Sequence, residues 1–162
     1  MNNDFRHIRS MAGDDTQAVY LDDMMSGFLV AGNTFFNCSR ALLLGGGREN
    51  IFVNNSIDGG DMRSPQSGIH FDNRGEGWDS KGCAPGGINY EFLSRVPYTS
   101  KAWTTKYGDK LANILNDDIC KPKYNNIESN LYCHVHEPWI DASAAKISEW
   151  GSSASGNTPC KF

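Results

Sequence analysis

The sequence predicts an all-β chain folded as a parallel β-helix, with a helical insertion and a short capping helix near its end. Two observations predict this fold: short strand-like segments recur at a nearly constant spacing, and asparagine recurs at matching places between them. Each segment has apolar residues at alternate positions, which is typical of a strand that buries one face. Strands repeated at this period stack into a solenoid in which neighbouring repeats share one core.

The first repeated segment occurs three times in the amino-terminal half. It reads AVYLDD at residues 18–23, ALLLGG at residues 41–46 and GIHFDN at residues 68–73, at offsets of 23 and 27 residues. Alternation within these segments directs one set of side chains to the core and the other set outward. The inward set is Val19, Leu21, Leu42, Leu44, Ile69 and Phe71.

A second repeated segment reads VAGNTF, FVNNSI and IESNLY, and it carries Asn33, Asn55 and Asn130. Asparagine tolerates left-handed backbone, and its amide can hydrogen-bond along a stack, so we expect these residues at equivalent bends. Residues 3–5 match the end of the same segment, which indicates that the chain begins within a repeat. An all-β sandwich with asparagine-rich turns is the alternative, but it does not predict matching segments at one offset.

Composition excludes several classes of protein. The net charge is −4, so no basic surface for a phosphate backbone is indicated and a nucleic-acid partner is not expected. The longest apolar runs are only a few residues, far short of the roughly 20 that a membrane span needs. Met1 is followed by polar residues, so this chain shows no signal peptide. The length of 162 residues fits one core, in a monomer or in part of a longer chain.

The five cysteines contain no CxxC pair, which favours disulfides over a zinc site. Five cysteines allow fifteen pairings of two bridges and always leave one thiol. Cys83 and Cys120 bracket the insertion, so a bridge between them would tie its ends together. Two glycosylation triplets, which begin at Asn37 and Asn54, are compatible with secretion. We therefore expect an extracellular protein.

The repeats divide the chain into four parts. Trp103, Tyr107 and Leu111 recur at helical spacing, which predicts one amphipathic helix over residues 100–116. We expect a second, short helix over residues 141–150 to cap the last repeat. The predicted parts are repeats at 1–73, the insertion at 74–124, a final repeat with its cap at 125–150, and a mobile tail at 151–162.

Several segments resemble a known group, the right-handed parallel β-helix proteins with the pectate-lyase-like (pectin lyase) fold. The likeness is carried by AVYLDDMMSGFLVAGNTFFNC, ALLLGGGRENIFVNNSI and GIHFDNRGEGW. The segments VPYTSKAWTTKYGDKLANILNDDICKPKYNNIESNLYC and WIDASAAKISEW are similar to the closing part of secreted members of that group. The resemblance implies a right-handed solenoid and a polysaccharide partner, but one fold hosts many chemistries.

Alternation places a candidate site on the outward face of the first repeated segment. Tyr20, Leu43 and His70 are expected in one column, and Asp22, Gly45 and Asp72 in the next. Asp22 and Asp72 would lie about 9 to 10 Å apart across Gly45, in a shallow acidic trough. The candidate catalytic residues are Asp22, Asp72, His70 and Arg74. The candidate substrate-binding residues are Tyr20, Asp23, Gly45, Gly46, Asn73 and Trp78.

Three functions remain open at this site. Two carboxylates at this separation suit inverting glycoside hydrolysis, with one acid and one base. A polysaccharide lyase would instead use Ca²⁺ to neutralise a uronate, with Arg74 or His70 abstracting the proton. The sequence lacks a clear set of Ca²⁺ ligands, and it lacks the Gly-His-Gly and Arg-Ile-Lys companions of polygalacturonases. A non-catalytic structural scaffold is therefore the third alternative, and no resident metal is assigned.

Further motifs have two interpretations each. Trp78 could stack on a sugar ring or anchor its own loop. His134 and His136 alternate around Val135 as two metal ligands on one strand would, but no third ligand accompanies them, so surface groups are expected. The triple glycine at residues 45–47 is expected to form a tight corner.

Overall fold

The computed structural model describes residues 1–10, 16–60 and 66–161, and its regular structure consists of short strands and short helices. No helix in these three ranges has the length and apolar character needed to cross a membrane. The strands are β1 (Asp4–Arg6), β2 (Gln17–Leu21), β3 (Leu29–Ala31), β4 (Thr34–Phe36), β5 (Arg40–Gly45), β6 (Ile51–Val53), β7 (Ser56–Asp58), β8 (Ile69–Asp72), β9 (Asn126–Glu128), β10 (Leu131–Cys133), β11 (Ser153–Ser155) and β12 (Thr158–Pro159). The helices are α1 (Ser80–Cys83), α2 (Ile88–Ser94), α3 (Lys101–Tyr107) and α4 (Ala144–Glu149), with 3-10 turns at Gly108–Leu111 and Ile114–Asn116.

The strands form three parallel sheets. The five-stranded sheet has the order β1-β4-β7-β10-β12, the four-stranded sheet β11-β9-β6-β3, and the three-stranded sheet β2-β5-β8. Successive strands along the chain therefore alternate among the sheets, and each strand pairs with its counterpart in the next repeat. This mostly β arrangement confirms the predicted parallel repeats and is compatible with a parallel β-helix.

The chain divides into two compact units. The β body comprises Met1–Asp72 and Pro122–Phe162, and the insertion comprises Asn73–Lys121. The three sheets belong to the β body, and α1 to α3 belong to the insertion.

One core fills the β body, and all three sheets contribute to it. The predicted inward set is confirmed: Val19 pairs in register with Leu42, and Leu42 with Ile69. Aromatic rings of the other two sheets continue the core, because Phe35 stacks on Phe5 at 4.9 Å and on Phe52 at 5.8 Å between ring centroids. Since inward side chains of one repeat pack on those of the next, burial stabilises the stack rather than any single repeat.

An asparagine ladder runs along the bend between the four-stranded and five-stranded sheets. The side-chain oxygen of Asn55 accepts hydrogen bonds from the backbone N–H and the amide of Asn33, both at 2.9 Å. Asn130 accepts the equivalent pair from Asn55, at 2.9 and 3.0 Å. Asn3 and Asn157 extend the ladder to five rungs. The predicted equivalence of these bends is confirmed.

A second polar ladder supports the bend before the four-stranded sheet. The Asn50 oxygen accepts from the Phe28 N–H, the Asn125 oxygen accepts from the Asn50 N–H, and the Ser152 hydroxyl accepts from the Asn125 N–H. The four residues joined by these bonds are Phe28, Asn50, Asn125 and Ser152. Each of them follows a residue with positive φ, and those preceding residues are Gly27, Glu49, Tyr124 and Gly151. The recurrence of left-handed backbone explains why glycine and polar residues occupy the corners.

The insertion differs from the single helix predicted over residues 100–116. Its helix α3 begins after Ser100, whose hydroxyl accepts from the Trp103 N–H at 3.4 Å. It ends at Tyr107, because Gly108 adopts a φ of 68° that a right-handed helix cannot continue. Trp103 and Tyr107 do lie on one face of α3, and their ring centroids are 5.3 Å apart. The predicted helix does not continue beyond Gly108, where the chain forms 3-10 turns instead. A disulfide joins Cys83 to Cys120, as expected.

The end of the chain also corrects the prediction. The tail expected to be mobile adds two strands, β11 beside β9 and β12 beside β10. A second disulfide joins Cys133 to Cys160, and Cys38 remains as a buried free thiol. The capping helix is shorter than predicted, because Ser143 caps it by accepting from the Lys146 N–H. The strands β11 and β12 are short and carry little apolar signal, which is why the sequence pattern did not predict them.

Candidate functional site

The outward face of the three-stranded sheet carries the first predicted column. Its register pairs Tyr20 with Leu43 and Leu43 with His70. Tyr20 is 48% exposed, whereas Leu43 is only 4% exposed. The face is therefore open at its first strand and covered at its middle strand.

His70 forms a close pair with Asp141, a residue that the sequence analysis did not place in the site. Ile69 forms a parallel bridge with Ile140, which puts Asp141 next to His70 in the same outward column. One carboxylate oxygen of Asp141 contacts His70 Nδ1, and the other accepts from the Phe71 N–H at 3.0 Å. Only 31% of the His70 side chain and 26% of the Asp141 side chain are exposed.

The arrangement around His70 is one that orients an imidazole for proton transfer. A carboxylate on Nδ1 fixes the ring and leaves Nε2 to accept or donate a proton. The bond from the Phe71 N–H holds the carboxylate in turn. One feature of the sequence could have indicated Asp141: an acidic residue directly follows the apolar pair Trp139 and Ile140.

Asp72 shares the outward face of β8 with His70. The two residues are two positions apart on one strand, so their Cα atoms are separated by about 7 Å. Asp72 pairs in register with Gly45, as the second predicted column requires. Asp72 and His70 are both half-buried.

Asp22 and Asp23 lie in a turn rather than in the column. Strand β2 ends at Leu21, and the Asp22 carboxylate accepts from the Asp23 N–H at 2.9 Å. Asp23 has a φ of 40°, and the Asp22 carbonyl accepts from the Met25 N–H at 2.9 Å. This is the local turn chemistry typical of aspartate.

The open trough expected across Gly45 is wrong, because Gly45 and Gly46 are both buried. The turn after β2 packs closely on this corner: the Met24 N–H donates to the Gly45 carbonyl at 2.8 Å. A Cβ atom on Gly47 would collide with the Met25 carbonyl oxygen, so glycine at this position permits the close approach of two backbones. The expected tight corner is confirmed, and these glycines do not form an exposed floor.

The other predicted site residues lie in the insertion. Arg74 is 1% exposed, so it does not present the accessible group that proton abstraction from a polymer needs. Its guanidinium lies 5.1 Å from the centre of the Trp78 ring, which is 73% exposed. Trp78 is therefore not a buried anchor, and Arg74 supports one side of its ring. Asn73 donates to Glu76 at 2.8 Å within the same turn.

The insertion also contains a cavity of about 230 Å³ beside its disulfide. Lys121 borders this cavity and pairs with Glu76 at 2.8 Å and Asp118 at 3.5 Å. The hydrogen bond to Glu76 raises the pKa of Lys121. Asp79 lies near the sulfur atoms of Cys83 and Cys120, but disulfide sulfurs are not thiolate ligands, so this group does not form a metal site.

His134 pairs with Asp58 on the five-stranded sheet at 2.9 Å. His136 is exposed. In the described ranges, these histidines do not belong to a cluster of three metal-ligating side chains, so the arrangement fits surface groups.

Comparison with known proteins yields no match: no family model, curated protein or solved structure matches the chain. Inference about function therefore depends on the geometry of the three-stranded sheet. That geometry brings His70, Asp72 and Tyr20 onto one face, adds Asp141, and leaves Asp22 in a neighbouring turn.

Proposed function

We propose that this chain is a carbohydrate-directed domain of an extracellular, right-handed parallel β-helix protein of the pectate-lyase-like group. It binds or processes a polysaccharide along the outward face of the three-stranded sheet. The three parallel sheets and the repeat pattern support the solenoid, and the two disulfides are compatible with an extracellular location. The proposed partner is a polysaccharide, and the handedness follows from the resemblance alone.

One observation carries the proposal: His70 is held by Asp141 beside Asp72 on the same face. An imidazole fixed by one carboxylate and flanked by another offers a proton acceptor and a proton donor within reach of one sugar unit. In hydrolysis His70 and Asp72 would share the roles of base and acid. In elimination His70 would take the proton next to a uronate carboxyl, whose charge Ca²⁺ would neutralise.

Tyr20 gives the same face an exposed aromatic ring. Its phenol combines an apolar body with a polar tip, which suits packing against a sugar ring and hydrogen bonding to a hydroxyl. Trp78 offers a larger exposed ring on the insertion. Each ring is a candidate sugar platform in its own unit.

The second candidate function is a non-catalytic scaffold within a larger secreted protein. The burial of Leu43 and Gly45 favours it, because the middle strand of the face offers little surface to an extended polymer. In this case the contact between His70 and Asp141 would be purely structural and would hold the segment around Asp141 against β8.

Assays on polyuronates and neutral polysaccharides, with and without Ca²⁺, separate these functions. New reducing ends alone indicate hydrolysis, and an unsaturated-uronate absorbance indicates elimination. Binding without either signal indicates a lectin-like role. The absence of binding and turnover across the panel would reject the carbohydrate proposal in favour of the scaffold.

Variants then test the site itself. If it is catalytic, His70→Ala should lower turnover by about 100-fold, the scale of general acid–base catalysis, while the fold is kept. His136→Ala is the matched control, because it removes an exposed histidine outside the three-stranded sheet. Equal activity of both variants would exclude His70 from the reaction.

A further inference from the structure

We infer that Asn54 is an N-glycosylation site and that Asn37, the other acceptor triplet, is not modified in the folded protein. The two triplets are Asn37-Cys38-Ser39 and Asn54-Asn55-Ser56, and both satisfy the acceptor pattern. The fold places them in different surroundings. The inference uses the secretory route of the proposed function but not its carbohydrate chemistry.

Asn54 occupies an exposed corner between the four-stranded and five-stranded sheets. Its φ is 54°, and its N–H donates to the Glu128 carbonyl at 3.2 Å, so its backbone is fixed. Every residue of this corner column has positive φ and precedes a rung of the asparagine ladder; the column is Asn2, Gly32, Asn54, Ser129 and Gly156.

The neighbours of Asn54 in the corner column leave room for a sugar. Gly32 lies on one side and has no side chain, and Ser129 lies on the other and has a short one. All three residues are exposed. A glycan on Asn54 would thus extend from the corner into solvent without displacing a ladder hydrogen bond, because the ladder uses Asn55 instead.

Asn37 has a different environment, in which its side chain is part of the packing. Its amide nitrogen lies 2.7 Å from His7 Nδ1, and its side-chain oxygen is buried. Gly60 packs against it: a Cβ atom there would lie 3.5 Å from the Asn37 Cβ. Ser39, the third residue of the triplet, is 1% exposed. A sugar on the Asn37 amide would have to displace His7 and open this packing.

The modification is a transfer from a polyprenyl-diphosphate-linked oligosaccharide, the donor class of the secretory pathway. The Asn54 amide nitrogen forms a bond to the anomeric carbon, and the bond from that carbon to the phosphate oxygen breaks. The nitrogen loses one proton, and the polyprenyl diphosphate leaves with the electron pair. No electron is gained or lost by the protein.

The test is secretion of the full chain from a eukaryotic cell behind a leader peptide, with an appended Asn-Gly-Thr tag as a reporter of contact with the transferase. Secreted protein is deglycosylated by an amidase that converts each modified asparagine to aspartate, and peptides are mapped by mass. Asn54→Gly is the matched variant, because glycine occupies the equivalent corner at positions 32 and 156 with positive φ. Asn37→Gly removes the other triplet.

We expect conversion at Asn54 and at the tag, and none at Asn37. Asn54→Gly should lose one glycan and remain secreted, whereas Asn37→Gly should leave the glycan number unchanged. A secreted chain with an occupied tag and an empty Asn54, or with a glycan on Asn37, would overturn the inference. An unoccupied tag or failure of secretion would instead reject the extracellular assignment, on which the inference depends. The carbohydrate assays are independent of every one of these outcomes.

Discussion

Asn33 and Asn55 occupy the same position in consecutive repeats, and the Asn55 side-chain oxygen accepts two hydrogen bonds from Asn33. The Asn55 amide in turn donates to the Val30 carbonyl and to the Asn130 oxygen, both at 3.0 Å. Asn33 and Asn55 are each 2% exposed. Each interior rung therefore satisfies backbone groups of the neighbouring repeat that water cannot reach, which makes the ladder a set of mutually dependent bonds.

Replacement of Asn55 by leucine should destabilise the β body by about 3 kcal/mol, because the buried Asn33 and Asn130 groups lose their partners. The measurement is the free energy of unfolding from denaturant titration. Asn126→Leu is the control, since Asn126 pairs in register with Ile51 and lies outside the ladder. Its side-chain oxygen accepts a hydrogen bond from the Ser153 hydroxyl at 3.0 Å, so the control also loses one bond, but it leaves no ladder group without a partner. The control should cost less than about 1 kcal/mol. Equal effects of the two variants would contradict the ladder model.

The Cys83–Cys120 disulfide closes a loop with a sequence separation of 37 residues. The double variant Cys83→Ala and Cys120→Ala should destabilise the insertion by about 2 to 4 kcal/mol, because its unfolded chain gains conformational freedom. The measurement is the rate of proteolysis within residues 84–119, which should be higher in the double variant than in the parent protein. Cys38→Ala, which alters no bridge, is the control. Mass mapping of secreted protein that finds Cys83 and Cys120 as free thiols would contradict the disulfide between them.

Burial raises the pKa of the Cys38 thiol, and the hydrogen bond with the Ile8 backbone and the charge of Arg9 only partly oppose this effect. The unfolded chain therefore ionises this thiol at lower pH than the folded protein does. The resulting stabilisation is fully present below the pKa of the unfolded chain, and it is lost as pH rises through the folded pKa.

Alkylation by iodoacetamide at pH 8 measures the protection of Cys38, which is 5% exposed. The folded protein should react at least about tenfold more slowly than the denatured chain, because the reactive species is the exposed thiolate. Cys38→Ala should show no reaction in either state, since the other four cysteines are paired. Equal rates in the folded and denatured protein would show that Cys38 is accessible.

The repeats and their inward faces could be predicted from the sequence because they depend on local patterns. Leu42 and Leu44 lie in a continuous apolar run, and their inward direction follows from their alignment with the alternating segment of β8. Asn33 and Asn55 identify a bend by their common offset. The helix over residues 100–116 was predicted too long, because spacing alone does not register the positive φ of Gly108. The disulfide between Cys83 and Cys120 could be predicted because these cysteines bracket the insertion that interrupts the repeats, and no property of the cysteines themselves indicated it.

The site was predicted only in part, because its decisive contact joins distant parts of the chain. His70 and Asp141 are 71 residues apart, and the parallel bridge between Ile69 and Ile140 brings them together. The burial of Gly45 was also not predicted, since it depends on the path of the turn after β2. Alternation gives the direction of a side chain relative to its own strand, and it does not say what packs over that side chain.

Asp141 allows its structural and chemical roles to be separated. One carboxylate oxygen accepts from the Phe71 N–H, and the other contacts His70. Asp141→Ala removes both acceptors and leaves the Phe71 N–H without this partner, so it should destabilise the β body by about 1 to 3 kcal/mol. Asp141→Asn keeps a carbonyl oxygen for Phe71 and removes the charge, so its cost should be smaller than that of alanine.

Activity should follow a different order from stability. If His70 transfers a proton, Asp141→Asn should lower turnover on the responsive polysaccharide about as much as Asp141→Ala does, because both variants remove the carboxylate that fixes the imidazole. The measurements are unfolding free energy and turnover for both variants, beside His70→Ala. Turnover that falls only in proportion to lost stability, with Asp141→Asn fully active, would assign Asp141 a purely structural role. The face of β8 would then hold the last repeat in place without carrying out chemistry.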